Sequence, residues 1–265
     1  FILSGGVFLL LGNILTEEQF FAWGWRVPFL FSALLVLMGL WMRLKLTETP
    51  AFQKVLNSKK EAKVPFKQVV LEHPKTLILG IVAGICTFVV FYLTTVFAMA
   101  WGTTKLGYSR NEFIIMELIA TLFFALFIPL SAVMAEKFGR KNSSIFICVL
   151  AALFGLTFNP LLGSGSMLGV LLFLCLGMAI MGLTYGPIGT VLSEIFPTSV
   201  RYTGSALTFN FAGIFGASFA PFIATSLATD HGLWAVALYL SAASIISLVA
   251  FVLLRETKSV DVNNQ

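Results

Sequence analysis

Charged residues are scarce in this 265-residue sequence. They account for 11% of it, whereas a soluble globular domain carries about 25%. Hydrophobic residues account for 58%, and the mean hydropathy is +0.94. This balance argues against an ordinary soluble domain and predicts that most of the chain lies in lipid.

Cysteine is also scarce, and the sequence motifs of common enzymes are missing. Cys86, Cys148 and Cys175 lie far apart within apolar runs, which argues against a disulfide framework or a zinc site and predicts buried, reduced thiols. There is no His-Glu-x-x-His, Gly-x-Ser-x-Gly or phosphate-loop pattern, and His73 and His231 lie in connecting segments. We therefore expect no catalytic residues, no bound metal or cofactor, and no enzymatic activity.

Long basic runs are absent although the net charge is +5. A nucleic-acid partner would be met by clustered lysine and arginine residues. Here these residues lie between long apolar stretches instead. The distribution is typical of a membrane protein surrounded by lipid, and no nucleic-acid partner is expected.

Uncharged stretches of membrane-spanning length recur along the chain, and about 20 apolar residues are enough to cross a bilayer. Such stretches occupy residues 27–42, 76–104, 118–135, 142–193, 202–229 and 232–254. The fourth stretch is too long for one helix, and Asn159-Pro160 with Gly163-Ser164-Gly165-Ser166 indicate a turn within it. The opening run Phe1–Leu15 is shorter than one span. We predict an all-α membrane protein with one partial helix and seven complete spans, beginning inside a helix of a longer protein.

The basic residues fall mostly on one side of these spans. Alternate connections carry fourteen of the seventeen basic residues on one face, and only Arg26, Lys105 and Arg110 lie opposite. By the positive-inside rule, the polar segment 47–75 and the tail 255–265 are predicted to be cytoplasmic. Within segment 47–75, apolar spacing predicts two short amphipathic helices on the membrane surface, the second opening at Pro65, or alternatively a solvated hinge.

Two predicted cytoplasmic turns carry opposite charges. Glu136, Arg140 and Lys141 flank the first of these turns. Glu194 and Arg201 flank the second, which is the adjacent cytoplasmic turn. Arginine suits pairing across helix ends because its planar guanidinium binds a carboxylate at two points. The charges form either a latch that opens and closes a gate or a static salt bridge that only sets topology.

Ionisable and polar residues within the spans are candidates for ligand binding. Glu117 lies five residues after Glu112, about 7.5 Å further along a helix. It is a candidate for proton or cation coupling; alternatively it extends to the membrane surface or holds a neighbouring helix by hydrogen bonding. The candidates for substrate binding lie deeper in their spans and are Tyr92, Thr95, Tyr185 and Asn210. Asn210 also suits a bond between helices.

Two further features concern the shape of the helices. Tyr185-Gly186-Pro187 predicts an interrupted helix whose carbonyl groups line a cavity. Small residues four apart predict close helix packing at Gly80/Gly84, Gly182/Gly186 and Gly213/Ala217.

Four ordered blocks resemble one known family, the metabolite:proton symporters of the major facilitator superfamily. The blocks are Gly24-Trp25-Arg26-Val27-Pro28-Phe29-Leu30, Glu48-Thr49-Pro50-Ala51-Phe52, Ala135-Glu136-Lys137-Phe138-Gly139-Arg140-Lys141 and Ser193-Glu194-Ile195-Phe196-Pro197-Thr198-Ser199-Val200-Arg201-Tyr202-Thr203-Gly204. The third departs from the family pattern, with Ala132 where glycine is expected and Glu136 where aspartate is expected. Proline/betaine, shikimate, alpha-ketoglutarate and citrate permeases belong to this family.

The resemblance implies the C-terminal part of a twelve-helix bacterial inner-membrane permease. Residues 1–46 would be the end of the N-terminal bundle, with partial helix five and helix six. Residues 47–75 would be the linker, 76–254 the C-terminal six-helix bundle and 255–265 the tail. The rest of the N-terminal half would be a missing partner within the same protein.

The function implied by the resemblance is secondary active import of a small polar metabolite, an organic acid or zwitterionic osmolyte. Import would occur by proton symport with alternating access, and Glu136, Arg140, Lys141, Glu194 and Arg201 would form the cytoplasmic gate. The alternatives are a uniporter or exchanger without proton coupling and, less favoured because the tail is short, a membrane sensor or scaffold that does not transport.

Overall fold

The computed structural model describes residues 2–45 and 65–256, and every regular element in these two ranges is helical. The chain divides into two compact units, Phe1–Gln53 and Lys54–Gln265. The first of the two predicted linker helices, around Phe52 to Leu56, lies outside the described residues.

The first unit contains three helices within its described residues 2–45. They are α1 (Ile2–Ile14), α2 (Glu17–Ala22) and α3 (Val27–Lys45), with a 3-10 turn at Gly24–Arg26. The Thr16 side chain accepts a hydrogen bond from the Gln19 backbone, and Gln19 bonds back to Thr16, which starts α2 as a capping box. No residue of α3 is buried within the unit although the helix is uncharged and mostly apolar up to Met42. A helix that is hydrophobic all round is typical of a membrane span.

The second unit contains nine helices in its described part. They are α4 (Pro65–Glu72), α5 (Pro74–Tyr92), α6 (Ala98–Thr104), α7 (Arg110–Phe138), α8 (Arg140–Phe154), α9 (Met167–Glu194), α10 (Arg201–Gly213), α11 (Ala220–His231) and α12 (Leu233–Leu253). Three π-helical turns extend or join them, at Leu93–Phe97, Phe158–Leu162 and Ile214–Ser218. A 3-10 turn at Gly155–Thr157 follows α8.

Seven helical segments of the described chain have the length and apolarity to cross a membrane. They run over Gly24–Lys45, Pro74–Thr104, Arg110–Phe138, Arg140–Leu162, Met167–Glu194, Arg201–His231 and Leu233–Leu253, and a shorter apolar helix covers Gly5–Ile14. This agrees with the predicted seven spans and one partial helix. The predicted turn that divides the stretch 142–193 into two spans is confirmed at 163–166, whereas Asn159 and Pro160 lie inside the π-helical turn that precedes it.

Glycines allow the helices of the second unit to approach closely. A Cβ at Gly84 would lie 2.8 Å from the Ala212 Cβ, so α5 and α10 meet there, and a Cβ at Gly182 would lie 2.6 Å from the Phe124 carbonyl oxygen of α7. The third predicted contact, at Gly213, is displaced. Gly216 makes the close approach instead, 2.7 Å from the Phe88 Cβ, because the π-helical turn shifts which residue faces α5.

The core of the second unit is aromatic and contains few hydrogen-bonded polar groups. Phe173 of α9 stacks on Phe154 with ring centroids 4.9 Å apart and contacts Phe158 edge-on at 4.8 Å. Ser247 of α12 joins α5, since its hydroxyl accepts from the Cys86 backbone N–H at 3.0 Å and donates to the Val82 carbonyl at 2.7 Å. Ser241 of α12 also donates to the Ala152 carbonyl of α8 at 2.8 Å, so these contacts together join α5, α8, α9 and α12.

Helix α4 is the second predicted linker helix, and it begins at Pro65 as predicted. Its Val69 is fully buried against Phe196 and Val200, which lie in the turn between α9 and α10. Protein contact therefore holds the Val69 face of this helix, while Phe66 and Leu71 are exposed. The membrane-surface helix and the solvated hinge both stay predictions.

Candidate functional site

The turn between α7 and α8 is built on a glycine that no other residue replaces without strain. Gly139 has φ 92°, a left-handed conformation that side chains disfavour. A Cβ at this position would also lie 2.6 Å from the Glu256 carboxylate. The turn therefore needs glycine for its backbone and for the group that packs on it.

Glu256 caps the start of α8 from the far end of the chain. Its two carboxylate oxygens accept hydrogen bonds from the Arg140 and Lys141 backbone N–H groups at 3.1 and 3.2 Å. No side chain of the turn itself caps α8, and a negative charge at a helix N-terminus is favourable. The Lys141 ammonium donates to the Val252 carbonyl at 2.6 Å. The end of α12 is thus attached to the charged turn.

The structure brings together Arg140 and Glu194, one from each predicted turn. The Arg140 guanidinium forms an ion pair with the Glu194 carboxylate, and their side chains are 27% and 10% exposed. Arg140 begins α8 and Glu194 ends α9, so the pair joins two helix ends. This end of the second unit, formed by Arg140, Lys141, Glu194 and Glu256 with Gly139, is called the charged end below.

The other two predicted gate residues have different surroundings. Glu136 is exposed in the last turn of α7 and forms no ion pair with any residue that the structure describes. Arg201 is half-buried at the first position of α10, seven residues after Glu194. Of the five predicted gate residues, Arg140 and Glu194 therefore form a direct charge pair, Lys141 binds a backbone carbonyl, and Glu136 lies outside the pair.

Glu117 is the one charged residue that is buried within the described part of the chain. It is 4% exposed on α7, and its Oε1 atom has no hydrogen-bond partner among the described residues. Phe113, Met116 and Ala120, its neighbours on the same face, are buried hydrophobic residues. An extension to the membrane surface, the alternative that the sequence allowed, is wrong. A carboxyl that remains unpaired in apolar surroundings is costly and points to a binding role.

The four candidate substrate residues differ in accessibility. Thr95 is buried and donates to the Phe91 carbonyl at 2.8 Å, so its hydroxyl is used within its own helix. Tyr92 is half-buried, with its ring centroid 5.3 Å from that of Phe91. Tyr185 is 43% exposed on α9 and packs on Phe124 of α7 at 5.7 Å between centroids. Asn210 is exposed on α10, and its amide donates to its own helix, to the Ala206 carbonyl at 2.8 Å.

Helix α9 continues through Tyr185-Gly186-Pro187 without interruption, so the predicted break is wrong. Gly186 lies beside Ser131 and Ile128 of α7, and this close packing supports the helix across the proline. Pro187 still has no N–H to offer the Leu183 carbonyl, as in any helix interior. The segment can contribute a carbonyl to a binding surface without breaking the helix.

The sequence did not predict that Glu256 caps α8, or that Glu117 is buried with no hydrogen-bond partner for its Oε1 atom among the described residues. The capping contact joins residues 116 positions apart, and the only local signal was an acidic residue directly after the last span. The burial of Glu117 depends on which face of α7 packs on α9. Because α7 is apolar on nearly every face, its sequence carries little information about that choice.

Comparison with known proteins identifies the family. The Major Facilitator Superfamily family model matches residues 1–221. The chain is 46% identical to the inner membrane metabolite transport protein YhjE of Escherichia coli strain K12, over 97% of this chain and 60% of that protein. It is 31% identical to the shikimate transporter of the same strain, with 97% and 60% covered.

A further match is the proline/betaine transporter of Salmonella typhimurium strain LT2, at 29% identity over 97% of this chain and 53% of that protein. The chain thus spans between 53% and 60% of the length of these relatives. The helical spans and the match over residues 1–221 confirm the predicted fold class. The chain belongs to the major facilitator superfamily.

Proposed function

We propose that this chain is part of a secondary active transporter that imports a small polar metabolite by proton symport with alternating access. The substrate class is an organic acid or a zwitterionic osmolyte, and the membrane is the bacterial inner membrane. The similarity to metabolite, shikimate and proline/betaine transport proteins supports the transport activity. The observation that carries the coupling is Glu117, a carboxyl buried in a span without a partner among the described residues.

In this proposal residues 1–46 end the N-terminal bundle, 47–75 form a linker and 76–254 form the C-terminal bundle. The excess of basic residues supports a cytoplasmic location of the linker and of the tail 255–265. Lipid surrounds the spans, and the substrate site is completed by the N-terminal half of the full-length protein. Major facilitator transporters move by rocking two such halves about a site near the midplane of the membrane.

Tyr185 and Asn210 are the proposed substrate contacts from this half. Tyr185 lies nine residues before Glu194, and Asn210 lies nine residues after Arg201. At 1.5 Å per residue, Tyr185 is about 13.5 Å along its helix from Glu194, and Asn210 is about 13.5 Å along its helix from Arg201. This depth approaches the midplane of a hydrocarbon core about 30 Å thick. Both side chains are exposed on apolar spans, where a polar group is favourable only if it faces a cavity or another helix.

The Arg140–Glu194 ion pair is the proposed latch of the cytoplasmic gate, to which Lys141 and Arg201 also belong in this proposal. The pair joins two helix ends and is partly exposed. When the two side chains separate, water hydrates their charges. Separating them therefore costs less free energy than breaking an ion pair deep in the bundle. A contact of this strength is suited to form in one conformation and break in the other.

Uptake measurements on the full-length protein test the proposed function. The purified transporter is reconstituted in liposomes and offered labelled organic acids and betaines, with an inward proton gradient and with a protonophore. We expect saturable uptake of at least one of these compounds, and its accumulation should collapse with the protonophore. Uptake that ignores the protonophore would instead indicate uniport or exchange, and no uptake of any compound would refute the proposed substrate class.

A further inference from the structure

A cavity of about 460 Å³ opens beside the charged end of the second unit. Its walls come from three places that are distant in sequence: the start of α5, the end of α9 and the residues that follow α12. The ionisable side chains in the walls are His73, Lys75, Glu194, Arg255 and Glu256. The volume is in the range of cavities that bind small molecules.

Both carboxylates of this cavity are already engaged. Glu194 is paired with Arg140, and Glu256 accepts hydrogen bonds from two backbone N–H groups at the start of α8. Their negative charge is therefore largely compensated within the protein. An incoming anion would meet less repulsion than the number of acidic residues suggests.

The cations of the cavity have no such compensation from the residues that the structure describes. Neither Lys75 nor Arg255 forms an ion pair with a residue in the described ranges 2–45 and 65–256. Both are exposed, and both line the same cavity. Helix α5 begins at Pro74 and His73 gives it no side-chain cap, so the N–H groups of its first turn add partial positive charge to this wall.

The cavity lies where an apolar surface ends. Ile78 is one helical turn beyond Lys75 and is 59% exposed, and Leu253, which lines the cavity, is 61% exposed. In a membrane span such side chains contact acyl chains. Cations beside them stand at the level of lipid headgroups, where phosphate is the abundant anion.

We propose that this cavity binds a phosphate group, with Lys75 and Arg255 as its cationic ligands. Arginine holds two phosphate oxygens at once, while lysine supplies a point charge. The phosphate belongs either to the headgroup of an anionic phospholipid or to a soluble phosphate. The site is separate from the proposed substrate contacts, because Tyr185 and Asn210 do not line it.

Native mass spectrometry of the full-length protein in detergent tests this site. The protein is titrated with phosphatidylglycerol, and with phosphatidylcholine as a headgroup without net charge. We expect the Lys75→Gln/Arg255→Gln variant to bind phosphatidylglycerol at least fivefold more weakly than the wild type. The matched control is Lys105→Gln/Arg110→Gln, which removes the same charge from two exposed residues outside the cavity and should change binding less than twofold.

A second measurement distinguishes the two sources of phosphate. The thermal midpoint of delipidated protein is recorded with inorganic phosphate and, separately, with phosphatidylglycerol. A rise with inorganic phosphate that the double variant lacks identifies a soluble phosphate, and a rise with the lipid alone identifies a headgroup. Arg255→Gln is tested by itself, since it follows the last helix and should leave the fold intact. The proposal would be overturned if the wild type responded to neither inorganic phosphate nor phosphatidylglycerol, or if both cavity variants responded to the bound compound as strongly as the wild type.

Discussion

Glu194 and Glu117 are both carboxylates on long apolar helices, but only one of them has a cationic partner. Glu194 pairs with Arg140 at the charged end, whereas Glu117 is buried on α7 with one oxygen lacking any partner in the described residues. A paired carboxylate at a helix end is explained by structure alone. An unpaired carboxyl inside a span is costly and is retained where function uses it.

The charged end shows a second contrast, between two kinds of contact. Glu256 bonds to the backbone of α8, and such a contact is independent of side-chain rotamers on α8. The Arg140–Glu194 pair depends on two side chains that reach between helices. We infer that the Glu256 cap keeps the turn in shape while the ion pair forms and breaks.

The largest expected effect follows from the isolated carboxyl. In the full-length protein, Glu117→Gln should reduce uptake driven by a proton gradient at least tenfold, because the amide has nearly the same shape but does not carry the proton. Exchange of labelled for unlabelled substrate, which needs no net proton movement, should persist. Both rates are measured in proteoliposomes and normalised to the amount of inserted protein.

Glu112→Gln is the matched control for this substitution. Glu112 is on the same helix and is exposed, and glutamine at its position preserves the capping box with Ser109. Its uptake should remain near the wild-type rate. If uptake driven by a proton gradient is the same in Glu117→Gln as in the wild type, Glu117 does not lie on the proton path. The contrast between the two carboxylates would then have no functional meaning.

The next effect concerns the ion pair. Arg140→Lys should lower the initial uptake rate several-fold although the charge is kept, because an ammonium does not reproduce the two-point contact of guanidinium. Glu194→Gln should lower it similarly. The double change should cost clearly less than the sum of the single losses, with a coupling of about 0.5–3 kcal/mol for residues in direct contact.

Glu136→Gln is the control for the pair, since Glu136 is exposed and has no ion pair in the described part of the chain. It should change uptake less than either residue of the pair. If the losses of uptake rate in Arg140→Lys and Glu194→Gln are strictly additive, or if both single variants transport at the wild-type rate, the pair is not a latch. These residues would then only set the orientation of their helices in the membrane.

A smaller effect, on stability, tests the Glu256 cap. Gly139→Ala and Gly107→Ala both place a side chain at positive φ, 92° and 78°, which costs about 1–2 kcal/mol. Only Gly139 also has the Glu256 carboxylate at 2.6 Å from the added Cβ, because Gly107 has open space. We expect a lower thermal midpoint for Gly139→Ala than for Gly107→Ala, and equal midpoints would show that the cap is easily displaced.

Apolar length and basic connections made the spans predictable, since lipid requires long uncharged helices whatever their neighbours. The candidate site was less predictable. Arg140 and Glu194 follow from charged residues at helix ends, but Glu256 reaches α8 across more than a hundred residues. The continuous helix at Pro187 depends on packing against Ser131. Such contacts are set by the tertiary structure, so local sequence patterns do not contain them.

The smallest expected effect separates polar residues of the proposed substrate surface from those of the charged end. Asn210 and Asn142 are both exposed. The Asn210 amide donates to the Ala206 carbonyl of its own helix at 2.8 Å, and the Asn142 amide donates to the Phe138 carbonyl at the end of α7 at 3.3 Å. Asn210→Ala should raise the KM for uptake by roughly two- to tenfold, the effect of losing one hydrogen bond of about 0.5–1.5 kcal/mol. Asn142→Ala removes the same group from the charged end and should leave KM unchanged. Equal KM values in the two variants would exclude Asn210 from the substrate site and would restrict the proposed contacts of this half to Tyr185.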